Sequence, residues 1–277
     1  MSYLPPIAVL LLMLSTGMSL NLTQLVATWR RLTPGMWLRL LLATFIVPPA
    51  IALGLAKMLP ISMASMAGLY LIAVAPGAPL MTRNVAKHGF DMQMAACYQV
   101  WSALMAPLMI PLLVAGAAWL YGREIWVSPL EVLLVIAKQQ FAPMFAGMAL
   151  MHFAPAFSAK LQRPLNIIGN VLLTAVIILL LIKLGSTLAA AGPWVGLAAL
   201  TLAASCLVGT RLLMPSSRTL AVSNVNRHVG LALLLCGTHV QNAVQALPAI
   251  AAYAIAAPLV MVIYAKLTLR KDASACL

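Results

Sequence analysis

The 277-residue chain is 64% hydrophobic, carries 17 Lys+Arg against 4 Asp+Glu for a net charge of +13, and has a mean hydropathy of +1.03. Soluble domains sit near about 45–50% apolar, so a soluble fold, a disordered chain and a disulfide scaffold are excluded. Apolar runs of about 20 residues also exclude a transmembrane β-barrel, whose strands alternate over about ten, and leave an all-α polytopic membrane protein.

Nine candidate transmembrane helices follow in chain order, at 4–21, 36–58, 62–82, 92–120, 129–151, 165–184, 191–213, 220–239 and 246–267, here H1 to H9. At roughly 21 residues each they consume about 190 residues, which leaves no room for an extramembrane catalytic domain. The whole chain, 1–277, therefore reads as a single transmembrane domain. No Lys or Arg precedes Arg30, so H1 lacks the basic start of a signal peptide and is expected to be a retained span.

H3 ends in Ala75-Pro76-Gly77-Ala78-Pro79. Prolines remove backbone donors and glycine weakens a helix, so a break is expected at Pro76, Gly77 and Pro79. In lipid such a stretch is tolerated only inside the protein or beside a watery cavity. The plainer alternative is a helix that simply ends at Pro76. H5 carries Lys138. H8 contains Ser223-Asn224-Val225-Asn226-Arg227-His228-Val229-Gly230. On a continuous helix Asn224, Arg227 and His228 share one face. A charge inside a span normally faces a cavity or a partner. Arg227 would otherwise snorkel to the inner surface, or be satisfied by carbonyls freed at the breaks.

The cations test the topology. With the N-terminus outside, Arg30, Arg31, Arg39, Arg83, Lys87, Lys160, Arg163, Arg211, Arg218, Lys266, Arg270 and Lys271 lie on the inner side, and only Lys57, Arg123 and Lys183 on the outer. That asymmetry fits nine spans, N-out and C-in, and explains the net charge without nucleic acid, and the short loops with no targeting peptide suggest a bacterial inner membrane. H3 is third of H1–H4 and H8 is third of H6–H9, and H5 makes the second group start on the opposite side. Two inverted repeats follow: 1–122, then H5 within 123–162, then 163–277. Paired broken helices of this kind mark a transporter. Cys97, Cys206, Cys236 and Cys276 form no metal-ligand spacing.

The residues resemble the bile acid:sodium symporter superfamily in its nine-span form. The likeness runs through Leu14 to Leu20, Phe45 to Ala50, Ala75-Pro76-Gly77-Ala78, Ala106-Pro107-Leu108 with Pro111-Leu112, Lys138 to Pro143 with Gly147, and Gly230-Leu231-Ala232. The resemblance implies a panel bundle and a core bundle, with two unwound helices crossing in the core. Organic-anion substrates would bind beside that crossing and move by alternating access, driven by sodium.

This chain departs from the family at the oxygen ligands a hard cation demands. Ser223 takes the place of a glutamate, Arg227 that of a glutamine, and Thr44 that of another glutamine. Thr82 alone remains of the tetrapeptide at the first break, and Ala95 and Gln99 stand where hydroxyls are usual. A guanidinium 4 Å from a sodium ion repels it by roughly 4 kcal/mol at an effective dielectric of about 20. Arg227 is therefore expected to replace the bound cation and to present positive charge to an anion. The candidate binding set is Arg227, His228, Asn226, Asn224, Ser223, Thr82, Gln99 and Thr44, with Pro76, Gly77, Pro79 and Gly230 at the breaks. No cofactor or metal is expected and sodium is disfavoured. His228 is the one candidate for proton coupling. The expected function is secondary transport of a small organic anion in a lipid bilayer. The alternatives are a non-transporting sensor or scaffold on the same fold, and an ordinary sodium-coupled symporter. No hydrolase or metalloprotease motif is present, so an enzyme is set aside.

Overall fold

The computed structural model describes residues 4–20, 22–120, 127–190, 192–240 and 243–275. The repeat boundary at 122/123, Arg123 and Cys276 lie outside them, and so do the side chains of Lys183, Arg270 and Lys271.

The described residues form helices joined by short turns. These are α1 (Leu4–Ser19), α2 (Leu22–Arg31), α3 (Pro34–Met58), α4 (Met63–Val74), α5 (Met81–Lys87) and α6 (Met92–Leu120). The second half holds α7 (Pro129–Phe153), α8 (Pro155–Ala190), α9 (Pro193–Leu213), α10 (Arg218–Val225), α11 (Val229–His239) and α12 (Ala243–Ala275). Five of them are long and apolar enough to cross a membrane: α3, α6, α7, α9 and α12 over Ala243–Thr268. The bent pair α1 and α2, if counted together as one span, would make six. Two shorter apolar helices, α4 and α11, each stop at a break with a second short helix across it.

The segment between H1 and H2, which the span reading leaves unassigned, folds as α2, bent 81° from α1. Its sequence LTQLVATWRR is amphipathic, with Leu25 buried and Arg30 and Arg31 exposed in the last turn. Such a helix lies in the plane of an interface rather than across it. Trp29 tethers it to α3 and α6, its ring 4.7 Å from Trp37, which stacks on Trp101 at 5.6 Å. Helix α8, which contains the segment expected as H6, begins earlier, at Pro155, where a proline in the first turn leaves no intrahelical bond unmade.

The helices pack in two groups, with the first half of α7 in contact with both. One holds α1, α7 and α8, and the other holds α3 to α6 and α9 to α12. Gly17 and Gly147 set the first. A side chain on Gly17 would collide with the Met144 carbonyl, and one on Gly147 with that of Leu14, so the backbones of α1 and α7 touch. Without a hydrophobic drive between helices in lipid, close approach of small residues supplies the contact energy. The larger group carries the main buried cluster, around Phe45, Tyr98 and Tyr253. A smaller cluster of Leu20, Leu25, Ala96, Cys97, Met144 and Met148 joins the two groups beside α2.

Candidate functional site: two broken helices that pair

The first break runs from Ala75 to Leu80, between α4 and α5. Gly77 has a left-handed φ of 75°, and a Cβ there would press on the Ser102 hydroxyl, so only glycine makes this turn without strain. The second break runs from Asn226 to His228, between α10 and α11. The helical face expected for Asn224, Arg227 and His228 does not exist, because α10 ends at Val225 and the chain is extended after it. Their proximity has a different source.

The two breaks pair with each other. Pro76 and Arg227 form an antiparallel bridge. The His228 N–H donates to the Ala75 carbonyl at 2.8 Å, and the Ala78 N–H to the Asn226 carbonyl at 3.2 Å. Each unwound segment thus supplies partners for groups that the other's lost helical bonds leave open, as a low-dielectric surrounding requires.

Neighbouring side chains take up most of the remainder. Gln140 of α7 donates to the Gly77 carbonyl at 3.0 Å, and Gln99 of α6 to the Pro79 carbonyl at 3.2 Å. Gln99 also donates to Gln140 at 3.4 Å and accepts from the Thr82 hydroxyl. Asn226 accepts from Asn84 at 3.3 Å and donates to the Val222 carbonyl at 3.0 Å. The His228 Nδ1 accepts from the Leu231 N–H at 3.0 Å and so caps α11. In the neutral ring the hydrogen then sits on Nε2.

Arg227 is only 2% exposed, so it does not snorkel. Its acceptor is prepared by helix α3. Leu42–Ile46 form a π turn in which the Val47 N–H reaches back to Leu42. The next N–H groups in line would belong to Pro48 and Pro49, which have none. The carbonyls of Ala43 and Thr44 are therefore left without a donor from their own helix. Asn224 donates to Ala43 at 3.0 Å, and the Arg227 Nη1 donates to Thr44 at 3.0 Å. The Arg227 Nη2 lies 3.5 Å from the Cys206 sulfur. Asn224 is held further by the Tyr98 hydroxyl, which donates to its Oδ1 at 2.7 Å, and by Thr210 at 2.8 Å. The Thr44 hydroxyl lies 3.4 Å from the same Tyr98 oxygen.

All eight side chains of the expected binding set are buried, and they fall into two adjoining groups. Thr44, Asn224 and Arg227 sit on the α3 side, and Thr82 and Gln99 on the α7 side. Asn226 and His228 lie between them, within the second break. Ser223 is buried with its hydroxyl unpartnered, as are Arg227 Nε and His228 Nε2 among the described residues. Gly230 is exposed and faces Gln139 of α7, whose Oε1 would lie 3.6 Å from an added Cβ. Lys138 is exposed on α7. Gln140, Tyr98, Cys206 and Thr210 are the contributors that reading the sequence misses. For Gln140 a signal exists, since it is a polar residue in the middle of an apolar span. For the others none does.

A family model described as Sodium Bile acid symporter family matches residues 6–191, about two thirds of the chain, and ends before the second break. No curated protein matches the chain.

Proposed function

The chain belongs to the sodium bile acid symporter family, a family of transporters, and from that premise we propose that it is a secondary transporter of small organic anions. It works by alternating access, with Arg227 standing in place of a bound cation. In this reading it is a nine-span, N-out and C-in protein of a bacterial inner membrane. Broken H3 comprises α4 and α5, and broken H8 comprises α10 and α11. Helices α1, α7 and α8 form the panel, and the larger group is the core.

The observation that carries the reading is Arg227, a buried guanidinium at the crossing whose contacts are a carbonyl and a sulfur rather than a carboxylate. A buried cation calls for an opposite charge, and a carboxylate, sulfate or phosphate substrate provides one. Four of the oxygens nearby already accept one hydrogen bond each, while the Ser223 hydroxyl has no partner among the described residues. The Thr44 carbonyl already accepts from Arg227, the Asn224 amide oxygen from Tyr98, that of Gln99 from Thr82, and that of Asn226 from Asn84.

The test is uptake of a panel of labelled organic anions into proteoliposomes, with sodium or choline outside, for the wild type and Arg227→Met. Uptake that is equal in both salts and lost in the variant supports the proposal. Uptake that requires sodium, or that survives in Arg227→Met, refutes Arg227 as the cation's replacement. Wild-type vesicles that move none of the anions while the folded protein binds none of them favour the sensor reading.

A further inference from the structure

The corner where α2 meets α3 carries chemistry that the crossing does not use. Arg30 and Arg31 close α2, and Arg39 lies on the second turn of α3. All three are exposed, and no hydrogen bond or ion pair holds any of them among the described residues. Residues 1–90 contain no Asp or Glu, so this part of the chain has no acid to neutralise them. Three positive charges within ten residues therefore face outward and call for an anion from outside the protein.

An apolar surface adjoins them. Gly35, Leu38, Arg39 and Leu42 share one face of α3, Ile46 extends it, and all five are exposed, Leu38 by 60%. Leu42 and Ile46 continue this surface for about 10 Å beyond Arg39, on a helix long enough to cross the membrane. Gly35 leaves room on the other side of Arg39, since a Cβ there would meet nothing within 4 Å. Helix α2 is held by its opposite face. Leu25 is buried with Ala96, Cys97, Met144 and Met148, and the Cys97 Sγ–H donates to the Leu25 carbonyl at 3.3 Å. On its outer side Leu22 and Val26 are exposed in one row with Arg30.

A soluble anion would answer the arginines and leave the apolar residues beside them without a counterpart. A phospholipid answers both, with a charged end and an acyl chain. The Trp29–Trp37 pair sits at the same corner, and tryptophans mark the level at which headgroups meet hydrocarbon. Guanidinium groups suit phosphate because their donors form a fixed fork.

We propose that the corner between α2 and α3 binds an anionic phospholipid. Arg39 takes the headgroup phosphate beside Gly35, Arg30 and Arg31 add their charge at the same corner, and an acyl chain runs along Leu38, Leu42 and Ile46. In the topology proposed above the lipid belongs to the inner leaflet. Its binding requires nothing of Arg227.

The experiment measures the apparent unfolding temperature of the purified protein in a non-ionic detergent against ligand concentration, which yields an apparent Kd. One arm adds short-chain phosphatidylglycerol, a second adds phosphatidylcholine of the same chain length, and a third adds glycerol 3-phosphate, a headgroup without chains. Phosphatidylglycerol stabilises saturably, phosphatidylcholine at least tenfold more weakly, and glycerol 3-phosphate not at all. Arg30→Gln/Arg31→Gln/Arg39→Gln raises the apparent Kd for phosphatidylglycerol by about tenfold or more, as the loss of three surface cations requires. Lys160→Gln/Arg163→Gln, which removes two exposed cations of α8, leaves it unchanged. Gly35→Glu is the second variant. It places a negative charge in the first turn of a helix, where the dipole favours one and nothing crowds it, and repels the headgroup without disturbing the fold. Equal stabilisation by the two lipids overturns the proposal, as does an equal effect of glycerol 3-phosphate. So does phosphatidylglycerol binding that the arginine variant and Gly35→Glu both leave intact, or that Lys160→Gln/Arg163→Gln weakens as much. Because the readout is binding of lipid and not transport, none of these outcomes bears on the role of Arg227.

Discussion

Pro48 is the residue whose replacement tests the account of the crossing most directly. A proline inside a helix ordinarily costs about 3 kcal/mol relative to alanine, so Pro48→Ala should stabilise an ordinary span. Here the missing N–H has a use, because it leaves the Thr44 carbonyl to Arg227. Alanine at 48 would bring back an N–H that competes for that carbonyl or for its neighbour Ala43. A hydrogen bond to a charged group is worth about 1.5–3 kcal/mol, and a buried guanidinium deprived of its acceptor bears its desolvation without that offset. The gain in helix propensity and the loss at Arg227 therefore cancel in the wild type. In an Arg227→Met background the Thr44 carbonyl has lost its donor, and the new N–H at 48 satisfies it. Pro48→Ala should be neutral or mildly destabilising in the wild type, and stabilising by about 1–2 kcal/mol in Arg227→Met. The coupling near 2 kcal/mol corresponds to roughly 4 °C in a thermal unfolding series of the four proteins. Equal shifts in the two backgrounds, within about 0.5 kcal/mol, would refute the claim that Pro48 exists to free an acceptor for Arg227.

Gln140→Leu strands the Gly77 carbonyl and one donor contact of Gln99, and should destabilise by about 1–3 kcal/mol, read as a lower unfolding temperature. His228→Ala removes the α11 cap and should cost about 1 kcal/mol, whereas His228→Asn, which offers a side-chain oxygen to the same N–H, should recover most of it. Should the two variants prove equally unstable, capping is not what His228 contributes. Gly147→Val drives a side chain into the Leu14 carbonyl, and should cost about 1–3 kcal/mol by forcing α1 and α7 apart, while Gly116→Val, which meets nothing within 4 Å, should not.

Both interruptions are legible in the sequence because each violates its surroundings, the first with Pro76, Gly77 and Pro79 and the second with a polar run in an apolar chain. What brings them together is less legible. The periodicity that places Asn224, Arg227 and His228 on one face assumes a continuous helix, and Asn226 leaves it. The π turns at Leu42–Ile46 and Ala137–Phe141 have no signature beyond the prolines that follow them, Pro48 and Pro143. Helix α2 escapes a search for apolar runs because its signal is a moment across ten residues and not a mean. The amide bridge from Gln140 to Gln99 is a tertiary fact, set by how α7 packs against the first break.

The charge on Arg227 has a consequence for energetics at the scale of the whole membrane. The bridge between Pro76 and Arg227 and the bond to Thr44 fix this cation to the larger group of helices. If that group shifts relative to α1, α7 and α8 in each cycle, the guanidinium travels with it through the transmembrane field. One elementary charge crossing the full field is worth about 2.3 kcal/mol per 100 mV. An empty carrier would then move with a net positive charge, while a carrier loaded with a monovalent anion would move with none. The membrane potential would act on the return stroke alone, so voltage, without any co-transported ion, would set which side of the membrane the unloaded site prefers to face.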